Sequence, residues 1–513
     1  MSVMSSNPVS NLPVANPRRW MALTVLVCLQ FMLILDATVV NVALPSIKTG
    51  LGFTQTNLAW VVDAYLLVAG GFLLLGGRVA DLFGRRRIFL AGALAFALGS
   101  LASALAQDQV MLIGSRALQG LGEALAGPAA LSIIAVLFID PKERARALSI
   151  WGGLAGLGGA VGVVLGGTIV DLANWRWIFW INLPVAVAVV FASRRLVPND
   201  RRRARRGFDY GGAVTATGGI TALVYALLEA NRNGWTSGTT LGFFAAGAAL
   251  LGAFVAIEGR VRAPLVPLRF FRSRRLSAAS GLMALFTSAV YGMFFLLTLY
   301  MQLVLGWSPL HTGVAYLTFS LGVLAGIGTA SQLLPKVGVR PVLVGGMTLA
   351  AGGFALFTQL PIDAQYWSHM VPAMLLVAVG AGLAFVALTV AAVSEATESD
   401  AGLASGMVTT AQQVGGALGL AVLVSIAATR TTSLLGSGHP ATAAQLDGSH
   451  LAFGIGAGIL AAGAVLAALL IGRFKPTSLP TPMPLSATEG EDEPEVSRTE
   501  ARVFVNTHQW SER

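Results

Sequence analysis

The sequence predicts an all-α integral membrane protein of fourteen transmembrane helices, arranged as two six-helix halves plus an inserted helix pair. Three observations predict it. Hydrophobic residues make up 55% of the chain and charged residues 11%, where a soluble domain carries about 25% charged side chains. Apolar runs long enough to cross a hydrocarbon core, at about 20 residues per helix, recur along almost the whole chain. The basic residues cluster between alternate runs, as the positive-inside bias of membrane proteins requires. The net charge of +10 therefore reads as topology and not as affinity for nucleic acid.

Taken in order, a short polar leader at 1–19 precedes a first apolar run at 20–44. That run is too long for a cleavable signal, holds Asp36 and lacks a small-residue cleavage site. It also contains Cys28, the only cysteine, which excludes an intramolecular disulfide. Runs at 58–77, 88–106, 110–138, 147–170 and 177–193 complete an N-terminal half over 20–193. A linker at 194–275 carries the inserted helices seven and eight at 210–229 and 240–258. Runs at 276–304, 311–333, 341–360, 369–392, 402–429 and 451–472 make the C-terminal half over 276–472. Prolines and an acidic cluster from Glu489 to Glu495 predict a disordered cytoplasmic tail at 473–513.

With the N-terminus in the cytoplasm, 26 of the 34 Lys and Arg fall in or beside inner loops. Only Lys48, Arg176, Arg232 and Arg430 fall outside. A missed span would swap the sides of every later loop, so the bias supports an even count and places both termini in the cytoplasm. The chain also repeats: Gly52-Phe53-Thr54 matches Gly306-Trp307-Ser308, and Gly84, Arg86 and Gly92 match Gly338, Arg340 and Gly346 at the same shift. Equivalent topological positions coincide, which predicts halves related by an axis along the membrane normal.

Between the second and third runs stands Gly77-Arg78-Val79-Ala80-Asp81-Leu82-Phe83-Gly84-Arg85-Arg86-Arg87. It resembles the signature loop of the major facilitator superfamily, in which Gly84 permits a tight turn and Asp81 can pair with arginine or face a helix end. Leu35-Asp36-Ala37-Thr38-Val39-Val40-Asn41-Val42-Ala43-Leu44-Pro45 and Asn174-Trp175-Arg176-Trp177-Ile178-Phe179-Trp180-Ile181-Asn182-Leu183-Pro184 look like the fourteen-helix drug:proton antiporter branch, the quaternary-ammonium efflux type. The resemblance covers 20–472. It implies a major facilitator fold and proton-driven efflux of small hydrophobic or cationic compounds, such as drugs, antibiotics and antiseptics, across the cytoplasmic membrane by alternating access. It implies no nucleotide or metal cofactor. In span five the family carries Gly-Pro followed two residues later by Gly-Gly, whereas this chain has Gly162-Val163-Val164-Leu165-Gly166-Gly167. Without the proline any bend falls to the glycines, which also permit close helix packing. The expected conformational gate is Gly77, Asp81, Gly84, Arg85, Arg86, Gly162, Gly166 and Gly167.

An ionisable side chain at bilayer depth costs about 2.5–3.5 kcal/mol or more, so each needs a reason. Asp36 lies deep in the first run and Asp63 in the outer half of the second. Arg116, Gln119 and Glu123 fall at i, i+3 and i+7 and share one face of the fourth. That stretch resembles the superfamily's Arg-x-x-Gln-Gly motif, with Glu123 where the family usually has a small residue. The five are expected to couple proton uptake to transport, with at least one carboxyl cycling between its two forms as its surroundings change. The alternative is a static pair of Arg116 with Glu123 or Asp36 that only orients helices. Phe31, Tyr65, Tyr291, Phe294 and Tyr300 are candidates to line a substrate cavity by stacking and cation–π contact.

Enzyme chemistry is not expected. His311, His369, His439 and His450 lie at or outside the outer ends of runs and His508 in the tail, and neither a Cys pair nor a Gly-x-x-x-x-Gly-Lys phosphate loop occurs. An intramembrane enzyme and an ATP-driven pump both lack their equipment. A carrier of one metabolite shares the fold and stays open, because fold does not dictate cargo. The expected partners are the lipid bilayer, a small-molecule substrate and protons, with no nucleic acid, and the expected state is a monomer.

Overall fold

In the computed structural model the described residues are 18–138, 140–197, 210–261, 264, 273–394 and 401–472. Among them there is no strand. Helices alone satisfy every backbone group within one segment, which a hydrocarbon solvent demands. The expected leader and tail lie outside the described residues, apart from Arg18 and Arg19.

The chain forms α1 (Arg19–Leu51), a short α2 (Gln55–Leu58), α3 (Trp60–Phe83), α4 (Arg85–Ala104), α5 (Gln109–Leu137) and α6 (Pro141–Leu172). There follow α7 (Trp177–Trp180), α8 (Asn182–Leu196), α9 (Tyr210–Asn233), α10 (Gly238–Glu258) and α11 (Arg274–Leu299). After a π-turn at Tyr300–Val304 come α12 (Pro309–Val337), α13 (Val339–Phe357), α14 (Val371–Val393), α15 (Ala401–Gly436) and α16 (Ala441–Leu470). Among the described residues, twelve helices are long and apolar enough to cross a membrane, and the apolar stretches described in α6 and α9 are shorter. Exposed Leu241 and Val255 on α10, and Leu469 and Leu470 on α16, give the outer wall an apolar face suited to lipid.

Helix starts follow the polar residues between apolar runs. Thr54, Asp108, Asp140, Ser237, Ser273 and Ser308 each accept from the backbone N–H three residues on, satisfying a donor that the helix itself cannot. Pro141 and Pro309 occupy first-turn positions that need no N–H. The two-fold shift seen in the sequence reappears in the backbone: Gly52 and Gly306 have φ of 66° and 68°, and Gly84 and Gly338 have 98° and 86°. Only glycine adopts such angles without strain.

The expected inner loop at 77–87 is not a loop. α3 continues to Phe83, α4 starts at Arg85, and Gly84 alone makes the turn. Run length measures the apolar core, while hydrogen bonding keeps the helix going past it. The sixth run likewise divides at Ile181 into α7 and α8.

Glycines set the helix approaches. Gly158, Gly162 and Gly166 lay α6 along Ile34, Thr38 and Val39 of α1, so that a Cβ on Gly162 would stand 1.9 Å from Thr38 Oγ1. On another face of α6, a Cβ on Gly167 would meet Pro309 O at 2.5 Å, and one on Gly313 would meet Val163 O at 2.2 Å. α6 and α12 are thus pressed together at the end of the bundle where α1 terminates, called here the far end. Gln302 Nε2 adds a hydrogen bond of 2.9 Å to Val42 O, joining the end of α11 to α1 at the same level. Gly313→Val should therefore push α12 off α6, since overpacking a closed contact costs about 1–3 kcal/mol. The expected outcome is greater labelling of cysteines introduced at far-end positions, in a Cys28→Ser background, than without the valine. Unchanged labelling would mean that this contact does not hold the far end shut.

Candidate functional site

Midway along α1, Asp36 is 1% exposed and accepts from three side chains on two other helices, α5 and α8. Arg116 Nη1 on α5 donates to Oδ2, while Oδ1 takes Gln119 Nε2 at 3.0 Å and Asn182 Nδ2 at 2.8 Å. Each donor is itself held. Arg116 Nη1 also donates to Gln119 Oε1 at 2.9 Å and its Nε to Val61 O at 3.0 Å. Its guanidinium lies 4.4 Å above the Tyr65 ring. Asn182 Nδ2 reaches Ser100 Oγ at 3.0 Å, and Ser100 donates to Phe179 O at 2.9 Å. Ser103 donates to Gln119 Oε1 at 3.3 Å and shares a 2.7 Å hydrogen bond with Ser115. A buried ion pair survives only when its remaining polar atoms find partners, and this shell of hydroxyls and amides supplies them.

The two long strings prove to be parts of one device. In the second, Trp175 packs on Gly50 at the end of α1, and Arg176 Nη2 donates to Ala106 O at 2.8 Å while stacking 4.3 Å over Trp175. The turn before α7 is thereby pinned, and the first residue of α8, Asn182, is aimed at Asp36. Asn182 is uncharged and gives no sign of this role in the sequence.

The other expected carboxyls lie apart from this pair. Asp63 is fully buried and neither carboxylate oxygen has a hydrogen-bond partner among the described residues. It stands on the α3 face shared with Gly70, which packs on Gln413 of α15, whereas Tyr65 and Ala69 back onto Gly120 of α5. Glu123 extends the Arg116 face of α5, and its Oε2 is buried without a partner among the described residues. The static pair, where one forms, is Arg116 with Asp36 and not with Glu123.

Of the expected gate residues, Gly77 is the loose one: a Cβ there would meet nothing closer than Pro128 Cβ at 3.5 Å. Its neighbour Gly76 carries the close approach, where a Cβ would stand 1.9 Å from Ala124 O. Arg86 Nη2 donates to Arg194 O at the end of α8, and Arg85 begins α4. The Asp81 side chain lies outside the described residues. Of the expected substrate contacts, Tyr65 is under Arg116 and Tyr291 lies against Gly416 of α15. Phe31 borders Gly158. Phe294 packs on Phe319 at 4.8 Å and Tyr316 at 5.1 Å. Tyr300 is displaced from that expectation: fully buried, it donates to Pro361 O at 2.6 Å, a core contact that the loop after α13 provides. An apolar crevice of about 450 Å3 runs between the end of α6 and α7, bordered by Leu172, Trp177 and Pro184, and none of the site residues lines it.

Residues 26–420 match the family model of the Major Facilitator Superfamily. The chain is 40% identical over 464 residues to the puromycin resistance protein pur8 of Streptomyces alboniger, covering 89% of this chain and 92% of that protein. It is 38% identical to the lincomycin resistance protein of Streptomyces lincolnensis, over 80% of this chain and 84% of that one. Among solved structures, the POT family transporter PepTSo superposes with a TM-score of 0.64 at 16% identity, covering 88% of this chain and 97% of that chain. That last likeness is one of fold.

Proposed function

Since this chain belongs to the Major Facilitator Superfamily, we propose that it exports small hydrophobic or cationic compounds, antibiotics among them, across the cytoplasmic membrane in exchange for protons. It is a multi-pass membrane transporter and not an enzyme. The observation that carries the proton reading is the Asp36–Arg116 pair with Gln119 and Asn182, a buried acid whose every donor comes from another part of the chain. Those donors are held by α5 and α8 and favour the charged acid, so a shift of either helix relative to α1 links helix movement to proton binding. That is the link alternating access needs. Resistance and export proteins among the relatives support the cargo class.

In this reading the helices form two six-helix halves, α1–α8 and α11–α16, with α9 and α10 inserted between them, making fourteen spans. Both termini are cytoplasmic, as the Lys and Arg asymmetry favours, and the far end faces outward. The α6–α12 and α1–α11 contacts then close the outer side. Gly84, Arg85, Arg86 and Asp81 form a latch at the cytoplasmic helix ends. Asp81→Asn should slow transport and shift the balance of inward- and outward-facing forms without abolishing binding. Lost equilibrium binding with an unchanged balance would refute the latch.

The experiment that tests the whole reading is proton movement in sealed vesicles of the full-length protein on adding a panel of lipophilic cations and natural antibiotics. Proton release by several unlike compounds is expected. Response to one metabolite alone would favour a narrow carrier, and no response to any compound would overturn proton exchange.

A further inference from the structure

We propose that the inserted helix pair α9–α10 is a lateral seal over one of the two seams between the six-helix halves, so that apolar molecules dissolved in the bilayer reach the space between the halves only past α6 and α12. The proposal rests on the export reading above, with its two halves, and adds the route from the membrane. The halves meet along two seams. At one, Gly70 of α3 packs on α15, where a Cβ would stand 2.7 Å from Gln413 Cβ. At the other, Gly167 of α6 packs on Pro309 of α12. α3 and α12 are each the second helix of a half and end at a positive-φ glycine, Gly84 or Gly338, while α6 and α15 are each the fifth. The internal repeat therefore makes the two seams equivalent, and the insert breaks that equivalence.

α9 lies across the α3–α15 seam and touches both sides of it. On α3, a Cβ on Gly71 would stand 2.5 Å from Thr217 Oγ1, and the Trp60 and Tyr225 rings lie 6.1 Å apart. On α15, Ser425 Oγ donates to Leu227 O at 3.4 Å. α10 backs α9 from outside: a Cβ on Gly247 would meet Leu223 Cδ2 at 2.7 Å, and the Phe243 ring lies 4.4 Å from that of Tyr225. The exposed Leu241 and Val255 of α10 then face lipid. The chemistry of the two seams explains why only one is covered. Asp63, on the α3 face that meets α15, is fully buried and Gln413 is 7% exposed. Both carboxylate oxygens of Asp63 and Oε1 of Gln413 have no hydrogen-bond partner among the described residues. Polar atoms in that condition are costly to turn toward hydrocarbon. The α9 contacts at Trp60 and Gly71 bracket Asp63 along α3 and put a helix between the seam and the bilayer. α6 and α12 instead show Val161, Val314 and Leu321 to the outside, side chains that hydrocarbon solvates.

The test is photolabelling of the full-length protein in lipid nanodiscs by an uncharged iodophenyl diazirine dissolved in the bilayer, with labelled peptides mapped by mass spectrometry. In the wild type, label is expected on α10 and on the α6 and α12 peptides that hold Val161, Val314 and Leu321, and not on residues 60–71 or 413–425. Gly71→Leu forces Thr217 away from α3 and should raise labelling of those two stretches from background to the level of the α12 peptide, with α6 and α12 unchanged. Thr217→Trp opens the same contact from the α9 side and serves if Gly71→Leu does not fold, which a melting curve reports. Label on 60–71 or 413–425 in the wild type, none on α6 and α12, no rise in a folded variant, or an equal rise at both seams would each overturn the proposal. Absence of drug-driven proton movement in the wild type would instead refute proton exchange and leave the labelling contrast readable.

Discussion

Asp36→Asn is expected to reduce drug-driven proton flux to the level of protein-free vesicles. Asparagine keeps the size of aspartate but cannot ionise, and it offers one acceptor where the acid offers two. Oδ1 currently serves Gln119 and Asn182, and Oδ2 serves Arg116. Whichever way the amide is turned, its NH2 group faces donors. Either Arg116 meets N–H against N–H, or the two side-chain amides do. In both cases the arginine loses its compensating charge while 1% exposed, and breaking a buried pair in this way costs about 3–5 kcal/mol. A lowered melting temperature should therefore accompany the lost flux. The two effects are separable: substrate binding measured at a temperature where the variant is folded reports the site, and flux reports coupling. Near-normal proton flux in Asp36→Asn would remove this residue from the mechanism.

Arg116→Ala and Arg116→Lys should both lose coupling, for different reasons. Alanine strands Asp36 and exposes Val61 O and Gln119 Oε1 to an empty volume, so a stability loss of about 3–5 kcal/mol is expected. Lysine returns a charge to Asp36 but has no second nitrogen to hold Val61 O, and no planar face to stack on Tyr65. Its stability loss should be smaller and its coupling defect comparable. Thermal unfolding of the purified proteins, run beside vesicle flux, distinguishes the two contributions. Unaltered transport by Arg116→Ala would sink the assignment.

The difference between Arg116 and the residues around it shows what could be read in advance. A charge in an apolar run carries a free-energy cost that does not depend on its neighbours, so Asp36, Asp63, Arg116 and Glu123 stand out in the sequence at once. Asn182, Ser100, Ser103 and Ser115 carry no such cost and look like ordinary span residues, although they complete the hydrogen bonding of the pair. Gly76 is indistinguishable from Gly77 in the sequence, and only the crossing of α3 on α5 singles it out. Tyr300 has the chemistry of a substrate-lining ring and the location of a core residue, because Pro361 stands where its hydroxyl arrives.

By itself the sequence determined that this is a helical membrane protein, roughly where its helices lie, and which side chains cannot sit in lipid unpaired, while its motifs carried the resemblance to a transporter family. These follow from run length, the cost of buried charge and glycine's freedom at positive φ, all of which are local. Only the tertiary structure decided that Arg116 pairs with Asp36, that Asn182 joins them, and that both carboxylate oxygens of Asp63 and Oε2 of Glu123 are left without a hydrogen bond among the described residues. The partners lie 80 and 146 residues from Asp36, and what brings them within 3 Å is the rotation of each helix about its axis. That rotation is set by close backbone contacts such as Gly120 on Tyr65 and Gly166 on Val39, which no single segment of the chain contains.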